Sequence, residues 1–325
     1  MDDTLNTLIE SSDLSGLSRH VDGVCSTRAW DQLIEVRDRC NEATKRGKQV
    51  WAIAQYAEYR MALDAPASLA ASVLSDGRGR FALGPLWEVA ASTHTWEALR
   101  GHVSVPTVRA MTAHERSIRG EHVDESDIDL QVIGIPAALT PWEPRYPVAE
   151  YRPDRAVFPD DIFDIPMEWT ELPGPVEQMP DDTVCDALSD LVRPWWEDSL
   201  GKAEVVTVDG TLEEGIRSLG PHRVRVAEID VSTALEAMAW AGASGGAHGR
   251  RRGTPIGRAG AWWVLLDVLG FEELPEDLDV IGVEAARLRW VLWDPGDRIG
   301  GWNLHLGIED SANGVAWVLS AVDAV

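Results

Sequence analysis

Lysine is almost missing from this chain: among 325 residues it occurs only at Lys45, Lys48 and Lys202, so arginine carries nearly all the positive charge. Basic residues as a whole are scarce, 29 against 54 acidic ones, for a formal net charge of −25. A surface of that sign repels nucleic-acid phosphates and anionic lipid, which argues against general nucleic-acid binding and against membrane attachment. Cysteine is limited to Cys25, Cys40 and Cys185. That odd number, without short metal-ligand spacing, speaks against a disulfide framework and a zinc site, and for a reducing, cytoplasmic location. Apolar runs long enough to span a bilayer are lacking, and the acidic start Met1-Asp2-Asp3-Thr4 has neither region of a secretory leader. Phenylalanine and tyrosine are few, four each against 15 tryptophans. Aromatic burial therefore means indole burial, with each ring N–H in need of an acceptor.

What the chain does have is two kinds of pattern separated by a third. Hydrophobic residues make up 45% of it, enough for two cores, and its length suits two domains of roughly 100–200 residues each. Trp30, Leu33, Ile34 and Arg37, then Val50, Ile53, Ala54 and Ala57, recur at helical steps. Pro66 and Pro106 suit first helical turns, and short helices are expected at 67–74, 83–92, 95–100 and 106–120, with a turn at 76–80. Residues 1–123 thus read as an all-helical, repeat-like domain, either HEAT-like or an irregular bundle.

Residues 124–200 read differently. They hold 19 acidic residues against four arginines and more than half of the prolines, which predicts an acidic, proline-rich connector of extended chain with Trp142, Tyr146, Tyr151 and Trp169 as anchors. From 201 to 325 a mixed α/β domain is expected. Strand 204–208, helix 211–219 and strand 223–229 form one β-α-β unit, and a capping box at Thr233 to Glu236 opens a further helix. Thr254-Pro255 opens the next helix, which ends at Gly270; 278–293 is helical, and 302–308 with 315–322 forms an antiparallel hairpin unless its second half is a helix. The fold class is α+β.

The sequence blocks Ala91-Ser92-Thr93-His94-Thr95-Trp96, Trp142-Glu143-Pro144, Ala149-Glu150-Tyr151-Arg152-Pro153 and Gly246-Ala247-His248-Gly249-Arg250-Arg251-Arg252-Gly253 resemble those of a family of uncharacterised actinobacterial proteins. The resemblance implies no activity, cofactor or ligand.

Chemistry concentrates in the last of these blocks. From Gly242 to Gly253 lie five glycines, His248 and the arginines Arg250, Arg251 and Arg252, just ahead of the helix that Thr254 opens, and Arg258 follows within it. Backbone N–H groups of Ile256 and Gly257 and guanidinium forks could together hold a phosphate or carboxylate. The anion-binding candidates are His248, Arg250, Arg251, Arg252, Thr254 and Arg258. The competing reading is that these arginines pair with carboxylates of 124–200, so that the loop clasps the connector. The loop lacks the ending of a P-loop and the frame of a dinucleotide fingerprint.

Other constellations fall short of a motif. His94, His102, His114 and His122, with Glu97 and Glu115, lack the spacing of a metal site, and no metal or cofactor is expected. Thr95 reads as a helix cap. Ser244 and His248 could meet across a turn, but no nucleophile-elbow sequence frames them. In Trp195-Trp196 and Trp262-Trp263, adjacent helical positions diverge by roughly 100°, so one ring of each pair should face the core and the other a second surface. No complete catalytic set can be assembled. The expected function is a non-catalytic interaction or scaffold protein with a protein partner; the alternative is an enzyme or sensor for a phosphate-bearing small molecule held by 242–258.

Overall fold

The computed structural model describes residues 3–74, 83–159, 165–180, 182–296 and 301–324. The turn expected at 76–80 lies outside them. The chain divides into two compact units, Met1–Val132 with Ala149–Phe158, and Ile133–Val148 with Pro159–Val325. A helical N-terminal region and a sheet-bearing C-terminal one make this an α+β fold, and residues 124–200 are shared out between the two units.

The first unit contains α1 (Asp3–Glu10), α2 (Leu14–Ser26), α3 (Trp30–Lys45), α4 (Trp51–Asp64), α5 (Ala67–Ser72), α6 (Leu86–Thr93), α7 (Trp96–Leu99) and α8 (Pro106–Ile118). Leu33, Val36, Cys40 and Ala43 of α3 and Ile53, Ala54, Ala57 and Met61 of α4 recur at helical spacing and are buried in one core. Thr95 caps α7, its Oγ1 accepting the Ala98 N–H at 3.3 Å. A small hairpin, β1 (Glu150–Arg152) and β2 (Arg155–Val157), completes the unit. Its Tyr151 hydroxyl donates to the fully buried Glu88 carboxylate at 2.6 Å, and the Tyr59 hydroxyl donates to Arg152 O at 2.6 Å. The four clustered histidines stay apart in role. His94 has its ring nitrogens 3.0 Å from Ala90 O and 2.7 Å from Ala65 O, His114 is fully buried, and His102 and His122 are exposed.

The second unit runs β3 (Glu168–Glu171), α9 (Thr183–Glu197), β4 (Lys202–Asp209), α10 (Leu212–Ser218), β5 (Arg223–Ile229), α11 (Val231–Ala243), α12 (Thr254–Leu269), α13 (Asp279–Ala285), β6 (Arg289–Asp294), β7 (Gly301–Asp310) and β8 (Val315–Ala324). The six strands form one sheet in the order β3-β5-β6-β7-β8-β4, antiparallel at every pairing. The expected β-α-β elements exist, but β4 and β5 are separated by three strands. The expected 302–322 hairpin is present, with both halves strands. Period-two alternation sorts the side chains of β8: Ala316 and Val318 join Leu212 and Ile216 of α10 in one core, whereas the Trp317 indole N–H reaches Asp182 at the start of α9. Helices therefore cover both faces.

Two expectations are corrected here. The helix expected over 278–293 is instead the short α13 followed by the buried strand β6, whose Trp290, Val291, Leu292 and Trp293 are covered on both faces. α11 is capped by Asp230, whose Oδ1 accepts the Thr233 N–H at 2.8 Å, rather than by a box at Thr233. The stretch read as extended chain also contains α9, with Val184, Leu188, Leu191, Val192 and Trp195 buried along one stripe.

Candidate binding groove

The glycine-rich loop joins α11 to α12, and its glycines serve close approach within the protein. A Cβ on Gly249 would lie 1.8 Å from Gly245 O, and one on Gly245 would lie 2.1 Å from Arg250 O. Gly246, at φ +75°, sits against β8, where a Cβ would lie 2.1 Å from Asp323 Oδ2. There the loop does bind a carboxylate, but an internal one. Asp323 is fully buried and accepts the Ala247 N–H at 2.6 Å and the Ser199 hydroxyl at 3.0 Å. The His248 N–H donates to Ser199 Oγ at 3.3 Å. Ser244 Oγ accepts the Gly246 N–H at 3.0 Å, so serine and histidine both serve the turn, and among the described residues no hydrogen bond joins them.

The six anion-binding candidates fall into separate environments. Arg258, on α12, is fully buried against a fully buried Glu143: its Nε donates to Glu143 Oε2 at 2.6 Å and its Nη2 to Oε1 at 2.7 Å. Further bonds run to Pro136 O and Ala138 O, so this guanidinium belongs to the fold. Burial alone would push the Glu143 carboxyl up; the bonds and charge of Arg258 and the N–H groups of Trp262 and Thr140 outweigh it and hold the group below the ordinary glutamate value. Arg251 donates to the buried Thr254 Oγ1 at 3.0 Å, and His248 and Arg250 are exposed. The N–H of Gly257 is committed to Gly253 O at 3.3 Å, so α12 does not present the pair of free donors expected at its start.

Arg252 is different. It is half-buried, and among the described residues its guanidinium makes no hydrogen bond or ion pair. It lines a groove of about 520 Å³ bordered by α9, α11 and α12. Glycine builds this groove. A Cβ on Gly257 would lie 2.0 Å from Ala239 O, so α11 and α12 meet backbone to backbone, and Leu191 of α9 packs over the crossing against Gly242 and Gly260. Its apolar lining is Ala187, Leu191, Ile256, Ala259 and Gly260 with Trp263. Trp263 is 46% exposed while its neighbour Trp262 is fully buried; Trp196 and Trp195 divide in the same way, as the divergence of adjacent helical positions predicts.

Charge is sorted along the groove. Burial, then the like charge of Arg193, lowers the Arg252 pKa, opposed by Asp198. Farther along, burial and then the charges of Asp182 and Asp186 raise the Asp267 carboxyl. One end is thus basic and the other acidic. Sequence reasoning had not found Asp186 and Asp190, because the composition of 124–200 hid α9, nor Asp267, whose helix was expected but whose neighbours on α9 were not. The stripe from Val184 to Trp195 behind the cap residue Asp182 was the signal available.

These features define an α+β protein with a helix-lined groove beside an antiparallel sheet. The chain belongs to a family of unknown function (DUF6183), whose model matches residues 15–323. No curated protein and no solved structure matches it. None of the described helices is long and apolar enough to cross a membrane, and among the described residues no three His, Cys, Asp or Glu side chains gather to hold a metal ion.

Proposed function

We propose that this protein is a non-catalytic binding protein, cytoplasmic in location, that captures a small molecule through an anionic group, phosphate or carboxylate, at Arg252. The observation that carries this reading is an arginine without a partner among the described residues, lining a groove of about 520 Å³, a size typical of small-molecule sites. Desolvated guanidinium favours an anion that restores its hydrogen bonds. Of the two expected roles for the arginine cluster, clasp and ligand site, Arg258 with Glu143 supports the first and Arg252 the second. Three buried cysteines outside any disulfide, Cys25, Cys40 and Cys185, favour a reducing compartment.

A thermal-shift screen of inorganic phosphate, nucleotides and sugar phosphates against the native protein and Arg252→Ala tests the reading. At a hundredfold excess over its dissociation constant a ligand adds about 2.7 kcal/mol of stability. A shift lost in the variant is the expected result; a shift that persists in it, or no shift with any anion, refutes capture at Arg252. The scaffold reading keeps one observation of its own, the half-exposed Trp169 on β3 beneath the Arg223 guanidinium at 4.6 Å. It takes the lead if the screen is silent.

A further inference from the structure

The groove has a second pole that anion capture leaves unused. Asp186 and Asp267 lie at its acidic end, and among the described residues neither carboxylate is ion-paired. Asp190, between the poles, pairs with Arg193. At the acidic end carboxylate lies beside carboxylate, while at the other Arg252 is desolvated and Arg193 beside it is already paired with Asp190. An ammonium relieves the first end and an anion gives Arg252 its partner, and the apolar lining between offers methyl and methylene surface with the Trp263 ring alongside.

Resting on anion capture at Arg252, we propose that the groove takes an elongated zwitterion, an ammonium at Asp186 and Asp267 joined by an aliphatic spacer to an anionic group at Arg252. The two helices fix the scale. Leu191 meets Gly260 midway, and from Ile256 to Asp267 the rise of about 1.5 Å per residue spans roughly 16 Å of α12. Two weak charge contacts joined by a spacer act together, since the second forms at high effective concentration. A phosphate or carboxylate alone satisfies one end and leaves the carboxylates at the other in mutual repulsion.

Calorimetric titration of the full chain with a set of ω-amino alkanoates (5-aminopentanoate, 8-amino-octanoate, 11-aminoundecanoate) reads both poles, with octanoate, octylamine and inorganic phosphate as single-pole probes. The expected result is that one amino alkanoate binds at least about tenfold tighter than octanoate and octylamine, a difference of about 1.4 kcal/mol. Asp267→Asn should reduce the amino alkanoate to the octanoate level and leave octanoate unchanged, and Arg252→Ala should remove both. If no amino alkanoate exceeds octanoate, while octanoate or phosphate still binds through Arg252, the zwitterion is overturned and anion capture stands. If octanoate, phosphate and the amino alkanoates all fail to bind the native protein, both are overturned. Tighter binding that survives Asp267→Asn and Asp186→Asn also overturns the zwitterion.

Discussion

The Asp323 carboxylate accepts the backbone N–H of Ala247 at 2.6 Å, so one buried acid on β8 fixes the loop that sets out Arg250, Arg251 and Arg252. A buried acceptor of this kind leaves donors stranded when it is removed, at about 1–3 kcal/mol. Asp323→Ala should lower stability by that amount in urea unfolding and speed hydrogen exchange at Ala247. Gly246→Ala should do similar damage, because the residue has φ +75° and its new methyl would lie 2.1 Å from Asp323 Oδ2. A Gly246→Ala protein with native stability and native exchange would show that the loop is not anchored there.

Glu143 and Arg258 form the costliest pair to break. Both are fully buried, and removing one partner of such a pair leaves an uncompensated charge, typically at about 3–5 kcal/mol. Glu143→Ala and Arg258→Ala should each lose that much, and the double variant should lose far less than the sum, measured by a denaturant double-mutant cycle. The sign with pH follows. The folded Glu143 pKa lies below the unfolded one, so its contribution is fully present above the ordinary glutamate range and is lost as pH falls through the folded value.

His305 gives a second, higher pH window. Burial takes its pKa down to about 4, against a weaker upward pull from Asp294; the ring lies tilted against Trp293 with centroids 4.5 Å apart, and Ser320 Oγ lies 3.1 Å from Nδ1. The unfolded chain binds this proton at about pH 6.5, so between the two values it holds more protons than the native state, and stability falls with falling pH. Going from pH 7 to pH 5 should cost about 2 kcal/mol from this group. His305→Gln should flatten that slope in denaturant titrations, even if it lowers stability overall; an unchanged slope would exclude the histidine as its source.

The legible parts of the fold were those where one residue pattern has one structural solution. Helices α3 and α4 and the end of α12 at Gly270 (φ +72°) follow from period and punctuation, whereas the second half of the β7–β8 hairpin was left open between strand and helix. β6 was not legible because Trp290 to Trp293 is a continuous apolar run, which reads equally as helix or as a strand buried on both faces. α9 was hidden by its surroundings: acid and proline count over 124–200 outweighed a clear stripe within it, and Pro194 sits only in its last turn. Of the candidate site, the arginines were visible and their sorting was not. Which guanidinium meets Glu143 and which meets none depends on residues more than a hundred positions away.

The strand order carries a consequence for how the second unit assembles. β4 has its main-chain partner in β8, Lys202 opposite Val322 and Asp209 opposite Val315, while β5 pairs with β6 across a shorter but still long stretch, Arg225 opposite Asp294. β6, β7 and β8 pair in the order in which they follow one another in the chain. The pairings of β4 with β8 and of β5 with β6 need long chain closures, which slow folding, and on the ribosome β4 waits for its partner until β8 has emerged. Asp323 emerges with it, so the arginine loop takes its shape only after β8 has been made.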